Sequence, residues 1–240
     1  MSLNDPEVVR REYASEERLA TRRRLWDSAD GPDPWALVLA AVAELKPRRV
    51  LEVGCGPGEF AERLSRELGC EVIAVDSSPR MVELARARGV DARLGDVQAL
   101  ELADGAFDCA VAAWMLYHVA DLHRGLAELA RVLTPRGRLV AVTNGARNLA
   151  ELWDLLGPEA EREHRFSCEN AGDQLRRQFA RVERRDAIGS VTLASREQAH
   201  RYVSASVTRS RLADRLPESA WPLRATRVQC LFIADKDDAA

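Results

Sequence analysis

Lysine is nearly missing from this chain of 240 residues: Lys46 and Lys236 stand alone, and every other member of the 35 Lys and Arg is Arg. With Ala abundant, that pattern fits GC-rich coding and carries no mechanism. Cysteine is sparse and poorly placed for chemistry. Cys55, Cys70, Cys109, Cys168 and Cys230 are odd in number, widely spaced and never arranged as C-x-x-C. A disulfide framework and a zinc site are therefore not expected, and a reducing cytoplasm is the expected setting. His123, His164 and His200 make no metal spacing with each other or with Cys, so no metal is expected and these three read as surface or structural. Long hydrophobic runs are also lacking. The longest, Pro34–Ala43 and Cys109–Tyr117, fall far short of a bilayer span, and the charged N-terminus has no apolar signal core. Export and membrane insertion are not expected. Nor is there an excess of one charge. The net charge is −3, and Arg22-Arg23-Arg24, Arg176-Arg177 and Arg184-Arg185 read as solvated helix faces among mixed charge. Nothing points to nucleic acid or an anionic membrane as the partner.

What is present suits a globular domain with one small elaboration, at 46% hydrophobic and 30% charged. From Val50 onward, short β-rich runs alternate with helical patterns. Val50–Val53, Glu71–Val75, Val90–Leu94, Phe107–Ala112 and Arg138–Thr143 read as five strands. Between them Phe60, Leu64 and Leu68 share one helical face, and Leu122, Leu126, Leu129 and Leu133 share another. Alternation of this kind implies an α/β fold, a doubly wound, mostly parallel sheet covered on both faces. After residue 145, helical segments near Asn148–Leu156, Glu169–Phe179 and Arg196–Ala205 separate two further strands, Arg181–Leu193 and Ala225–Ala234. These two bring the sheet to seven strands and suit an antiparallel edge. Upstream, Asp5–Trp26 reads as a long polar helix and Pro34–Leu45 as an apolar one.

The most informative segment is Val50-Leu51-Glu52-Val53-Gly54-Cys55-Gly56-Pro57-Gly58-Glu59-Phe60, a buried strand running through alternate glycines into a helix. Glycine permits positive φ and lets a ligand lie against the backbone. In open α/β sheets the ligand crevice lies beyond the carboxyl ends of the strands, where this turn would sit. A Walker loop is excluded, because no Lys follows the glycines. The dinucleotide fingerprint fails from Gly54, where Glu59 takes its third glycine position, and fits only loosely from Gly56 to Ala61. Three acids add to the pattern. Glu52 lies inside the strand, where an unpaired carboxylate is costly and a cationic ligand would supply the partner. Asp76 ends the second strand, eighteen residues after Gly58, where a carboxylate can accept both ribose hydroxyls. Asp96 follows the third strand; its carboxylate can take an adenine amino group while the Val97 N–H reaches a ring nitrogen.

From Val50 to Gly145 the chain resembles the class I S-adenosylmethionine-dependent methyltransferases, in particular the small-molecule group called methyltransferase type 11. The resemblance rests on Glu52-Val53-Gly54-Cys55-Gly56-Pro57-Gly58, Val75-Asp76-Ser77-Ser78-Pro79-Arg80-Met81 and Gly95-Asp96-Val97-Gln98-Ala99-Leu100. It continues through Asp104-Gly105-Ala106-Phe107-Asp108 and Arg131-Val132-Leu133-Thr134-Pro135-Arg136-Gly137-Arg138-Leu139. Arg136 replaces a glycine common in the last run, which affects only a turn. The resemblance implies a Rossmann-like fold and S-adenosyl-L-methionine as methyl donor, with S-adenosyl-L-homocysteine as product. It implies that Gly54, Cys55, Gly56 and Gly58 lie against the methionine part, that Asp76 holds the ribose, that Ser77 belongs to the cofactor site, and that Met81 packs near the adenine. Ala113 would meet the methionine end through its backbone. It further implies an N-terminal helical cap or lid over residues 1–45, from which Tyr13 and Arg18 would cap the carboxylate or else simply lie at the surface. Residues 46–240 would form the catalytic domain, with substrate-lid elements at 146–168 and 194–224.

Methyl transfer from a sulfonium is an in-line displacement, so the protein mainly aligns the reactants and excludes water. A base matters only where the acceptor loses a proton. Trp114-Met115-Leu116-Tyr117-His118 follows the fourth strand, at the crevice. His118 has the unperturbed pKa of a neutral-pH base, or else begins a helix and packs. Tyr117 would orient a substrate hydroxyl or pack, and Trp114 would form substrate wall. Asn144, within Thr143-Asn144-Gly145, would contact substrate or make a turn. Trp153, Phe166, Tyr202 and Trp221 would line an apolar pocket or belong to the core. The expected whole is a cytoplasmic monomer or homodimer acting on a small molecule, possible routes including natural-product synthesis. The alternatives are a nicotinamide-dependent oxidoreductase and a non-catalytic binding subunit.

Overall fold

The computed structural model describes residues 4–13, 16–160 and 165–237. Seven strands form one sheet: β1 (Arg49–Val53), β2 (Glu71–Asp76), β3 (Asp91–Leu94), β4 (Phe107–Ala113), β5 (Leu133–Asn144), β6 (Arg181–Leu193) and β7 (Leu223–Asp235). Their order is β3-β2-β1-β4-β5-β7-β6. The first five are parallel, and β7 runs antiparallel to both β5 and β6. The antiparallel element expected at this edge is thus β7, slotted between β5 and β6. Strand order reverses between β1 and β4, which makes the carboxyl ends of those two strands the crevice of the fold.

Helices α1 (Pro6–Glu12), α2 (Glu16–Arg24), α3 (Pro34–Ala43), α4 (Glu59–Leu68), α5 (Pro79–Ala87), α6 (Leu122–Val132), α7 (Ala150–Asp154), α8 (Ala171–Leu175) and α9 (Arg196–Ser204) complete the described elements. Their starts follow local chemistry. Asp33 accepts from the Trp35 N–H at 2.9 Å and Pro34 pre-sets φ at the first turn of α3; Asp121 caps α6 by accepting from the Arg124 N–H at 3.0 Å. Helix α4 begins at Gly58 and ends at Gly69, both left-handed.

Alternation along β1 divides the core. Leu51 and Val53 face a cluster with Leu126 and Leu129 of α6, while Val50 faces Val38 of α3 and Leu64 of α4. Leu129 is fully buried, and a leucine so placed contributes about 1.5–3 kcal/mol by leaving water. A third cluster joins Leu25, Leu152, Val191, Val203 and Leu212 under the segments that follow β5. No described helix is long and apolar enough to cross a membrane.

Four expectations change. The single helix over Asp5–Trp26 is two helices plus a 3-10 turn, Leu25–Ser28, because Tyr13 leaves helical geometry at φ −108° and turns inward. The arginine clusters are not all solvated helix faces. Arg22 pairs with Glu12, a buried residue, and Arg184 and Arg185 lie on β6, where Arg184 pairs with Asp186 and Arg185 with Glu44. The cysteines are not all free thiols: Cys168 and Cys230 form a disulfide across a separation of 62 residues, with Cα atoms 5.5 Å apart. The chain after β5 folds back over β5 and β7, so that the Cys168 N–H donates to the Asn144 carbonyl at 3.2 Å and Cys230 lies opposite Thr143. Sequence spacing cannot reveal that return, and the bridge removes the cysteine argument for a reducing compartment. Cys55, Cys70 and Cys109 are free and buried. Finally, β5 extends back to Leu133, directly after α6. His164 lies outside the described residues.

Candidate functional site

The end of β1 enters a turn in which Gly54, Gly56 and Gly58 have φ of 66°, 55° and 81°. All three need positive φ, but their surroundings differ. A Cβ on Gly54 would meet Met115 Cβ at 2.7 Å, and one on Gly56 would sit 3.8 Å from Leu19 of α2. A Cβ on Gly58 would meet Ala85 Cβ at 2.7 Å, so that glycine serves the close approach of α4 to α5. The turn is pinned to β2. Gly54 N–H donates to the Val75 carbonyl at 2.7 Å, and Asp76 Oδ2 accepts from the Gly56 N–H at 2.8 Å. Asp76 Oδ1 accepts from the Ser78 N–H at 2.8 Å. Burial raises the Asp76 pKa against the opposing pull of these N–H groups.

Glu52 is 3% exposed, and its Oε2 has no hydrogen-bond partner. Burial, then the nearby Asp76 carboxylate, pushes its pKa up to about 8, with Arg23 pulling the other way. The Ala61 backbone N–H also supports the carboxylate, but a buried acid with one oxygen unpartnered is costly, so this position asks for a cation. Burial also raises the Cys55 thiol, which argues against a nucleophilic role.

Above the turn lies a cavity of about 1410 Å³. Small-ligand pockets commonly hold roughly 300–1,000 Å³, so this one has room for two molecules side by side. Glu52, Gly54, Cys55, Gly56, Asp76, Ser77, Asp96, Val97 and Ala113 border it from the strand ends. Asp96 accepts from the Gln98 N–H at 2.9 Å and from Gln98 Nε2. Trp114, in a left-handed conformation at φ 53°, sets its ring 4.7 Å from that of Trp35, which lies 4.5 Å from Phe60. Asn144 ends β5 rather than forming a turn; its Oδ1 accepts from Gln229 Nε2 at 3.1 Å.

Helices α1 and α2 form the opposite wall. Tyr13 Oη lies 2.9 Å from His118 Nε2, and Ser78 Oγ donates to the Tyr13 carbonyl at 3.1 Å. Burial holds the Tyr13 hydroxyl well above its ordinary pKa. His118 closes a 3-10 turn, Leu116–His118, and the Tyr117 ring packs edge-on against it at 4.5 Å. Arg22 pairs with Glu12, whose Oε2 accepts from the Val207 N–H at 2.7 Å beyond α9. Arg23 pairs with Glu59 of α4.

The structure therefore brings most of the expected residues to one cavity: Glu52, Gly54, Cys55, Gly56, Asp76, Ser77, Asp96, Val97, Ala113, Trp114, Tyr117, His118, Asn144 and Tyr13. Four do not border it. Met81 is fully buried within the fold, Gly58 packs on Ala85, Arg18 is exposed on α2, and Trp221 donates its Nε1 to the Pro217 carbonyl. Trp153, Phe166 and Tyr202 do border it. Sequence reasoning missed Trp35, Ser78, Gln229 and Arg227. The last two left a signal: they are polar residues two apart in an apolar strand, hence on one face.

Residues 51–141 match the family described as methyltransferase domain. A demethylmenaquinone methyltransferase of Thermus thermophilus is 41% identical over 106 residues, covering 41% of this chain and 48% of that protein. A ubiquinone biosynthesis O-methyltransferase of Xanthomonas oryzae is 37% identical over 139 residues, covering 52% of this chain and 57% of its own. The chain thus spans about half the length of these curated relatives. Among solved structures, a phosphoethanolamine N-methyltransferase of Haemonchus contortus, in complex with phosphomonomethylethanolamine and S-adenosylhomocysteine, superposes with a TM-score of 0.63. That match covers 99% of this chain and 61% of the other at 17% identity, a likeness of fold alone.

Proposed function

We propose that this chain, whose residues 51–141 match the methyltransferase-domain family, transfers a methyl group from S-adenosylmethionine to a small-molecule acceptor. The observation that carries this reading is Glu52, buried beside the glycine turn with an unpartnered Oε2. An α-ammonium satisfies it, directly or through water; a nicotinamide dinucleotide brings phosphates and no such cation. The same cavity wall presents Asp76 for the ribose hydroxyls, and Asp96 with the Val97 N–H for the adenine edge. When bound, S-adenosylmethionine supplies an electrophilic methyl on a sulfonium. Gly54 and Gly56 let the backbone approach the methionine part, and Tyr13, Leu19 and Arg23 cover it from the N-terminal cap, which excludes water.

The reading extends to a proton path. Tyr13 keeps its proton at neutral pH, because burial opposes its ionisation; in the His118 tautomer that leaves Nε2 without a proton, the Tyr13 hydroxyl donates across the 2.9 Å contact. An acceptor that must lose a proton passes it to Tyr13 Oη as the Tyr13 proton moves to His118 Nε2. Trp114, Tyr117 and Asn144 border the acceptor side.

Isothermal titration with S-adenosylhomocysteine tests the function. Binding in the micromolar range is expected, and absence of binding at millimolar ligand would overturn it. NAD(P)H serves as the control and is expected not to bind.

A further inference from the structure

Among the described residues, three buried side-chain polar atoms lack a hydrogen-bond partner: Glu52 Oε2, Trp114 Nε1 and Arg227 Nε. All three side chains border the same cavity. One is an acceptor and two are donors, and they fall on opposite flanks. Glu52 lies on β1, beside the β2 and β3 ends that carry Asp76 and Asp96. Trp114 and Arg227 lie on the β4–β5–β7 side. There the register aligns Ala113 with Val142, Val142 with Leu231, and Asn144 with Gln229. Arg227 is two residues along β7 from Gln229, roughly 7 Å further past the end of β5 and on the same face.

Arg227 is 4% exposed. Its guanidinium makes one hydrogen bond among the described residues, from Nη2 to the Pro32 carbonyl at 2.6 Å, and pairs with no carboxylate. The acids nearest in field, Asp33 and Asp30, act on it through space and form no ion pair with it among the described residues. Asp33 Oδ1 accepts from the Trp35 N–H at 2.9 Å, while Asp30 accepts from Ser190 Oγ at 2.8 Å and from Arg224 at 2.9 Å. A guanidinium offers five N–H donors, and its charge is expensive to bury without an anion. Burial pushes its pKa down, in keeping with a cation short of a counter-charge. Lining the same cavity, the Trp35 and Trp114 rings offer an apolar surface.

We infer that the methyl acceptor carries an oxyanion, a carboxylate or a phosphate, on a flat apolar body, with the anion held by Arg227 and the body against Trp35 and Trp114. The inference rests on the methyltransferase reading of this cavity. A cationic donor then sits on the acidic flank and an anionic acceptor on the basic flank, with each buried charge answered by its own ligand.

The test uses the full chain saturated with S-adenosylhomocysteine, titrated with benzoate, phenyl phosphate and benzamide. Saturation is verified first, so failure of the cofactor reading appears as no S-adenosylhomocysteine binding, before any acid is added. At least one acid is expected to bind about tenfold or more tightly than neutral benzamide, a ratio in line with a charge-assisted bond to Arg. Whichever acid binds more tightly identifies the source of the oxyanion. Arg227→Gln is expected to abolish that preference while keeping S-adenosylhomocysteine affinity, and Arg227→Lys to keep part of it. Equal binding of benzamide and both acids, no binding of either acid, or an undiminished preference in Arg227→Gln would overturn the inference. If Arg227→Gln does not fold, the acid-to-amide ratio in the unaltered chain decides.

Discussion

Glu52 makes cofactor affinity a function of pH. In the free chain its carboxyl titrates near pH 8, because burial and Asp76 both oppose its ionisation. An α-ammonium brought beside it reverses that balance and holds it ionised, so binding must release a proton wherever the free carboxyl is protonated. The free protein is about 1% ionised at Glu52 at pH 6 and half ionised at pH 8. If the bound carboxylate stays ionised across this range, S-adenosylhomocysteine binding strengthens about 50-fold from pH 6 to pH 8, or about 2.3 kcal/mol. Calorimetry in two buffers of different ionisation enthalpy should count about one proton released per ligand at pH 6.5.

The sign for the ligand-free protein is opposite. A carboxyl whose native pKa is raised holds a proton that the unfolded chain has already lost. Between the ordinary value of 4.5 and about 8, stability from this group therefore falls as pH rises. Glu52→Gln keeps the shape and removes the titration. That variant should bind S-adenosylhomocysteine with flat pH dependence and lose the Glu52 share of the fall in melting temperature across this window. Flat affinity in the unaltered chain, with no proton release, would refute the assignment of Glu52 as the ammonium partner.

Asp76→Ala should weaken S-adenosylhomocysteine binding by at least 100-fold, since the ribose loses its acceptor and the Gly56 and Ser78 N–H groups lose theirs; titration calorimetry reads it, with a melting curve confirming the fold. Tyr13→Phe keeps the ring and the Ser78 contact to its carbonyl but removes the hydroxyl from His118. For an acceptor that loses a proton, kcat should fall about 10²-fold with cofactor affinity within twofold, and the pH–rate profile should change shape; an unaltered kcat and profile would remove the pair from the chemistry. Cys168→Ser opens a bridge spanning 62 residues, which should cost about 2–4 kcal/mol in urea unfolding and abolish the sensitivity of the unaltered protein to reductant.

The β1–α4 turn was legible in the sequence because each constraint on it is local. A strand, alternating glycines and a helix follow within ten residues, and acids close the next two strands. Arg181–Leu193 was equally legible, its β-rich composition giving the full extent of β6. The residues that do not border the cavity, and the bridged cysteines, share a different physics. Gly58 matches the glycine pattern, yet it is required by Ala85 of another helix, and nothing near Gly58 in the chain announces that neighbour. Met81 sits one turn into α5 on its buried face, where helix phase rather than motif membership decides what it touches. Cys168 and Cys230 meet because the chain returns over β5, a tertiary event without a local signature.

Arg227 and Gln229 are the instructive case, because their signal was present and local. In Ala225–Ala234 the polar residues fall at Thr226, Arg227 and Gln229, and strand geometry places 227 and 229 on one face with Leu231 and Ile233. That face packs under α3 further along, so a buried Arg there must either find a carboxylate within the fold or border a cavity. Asp30 and Asp33 are the acids nearest to it in the fold; both also accept from capping or strand donors, and neither forms an ion pair with it among the described residues. The strand period put Arg227 and Gln229 on one face, and only the fold shows that this face borders the cavity there, with the two acids near but unpaired.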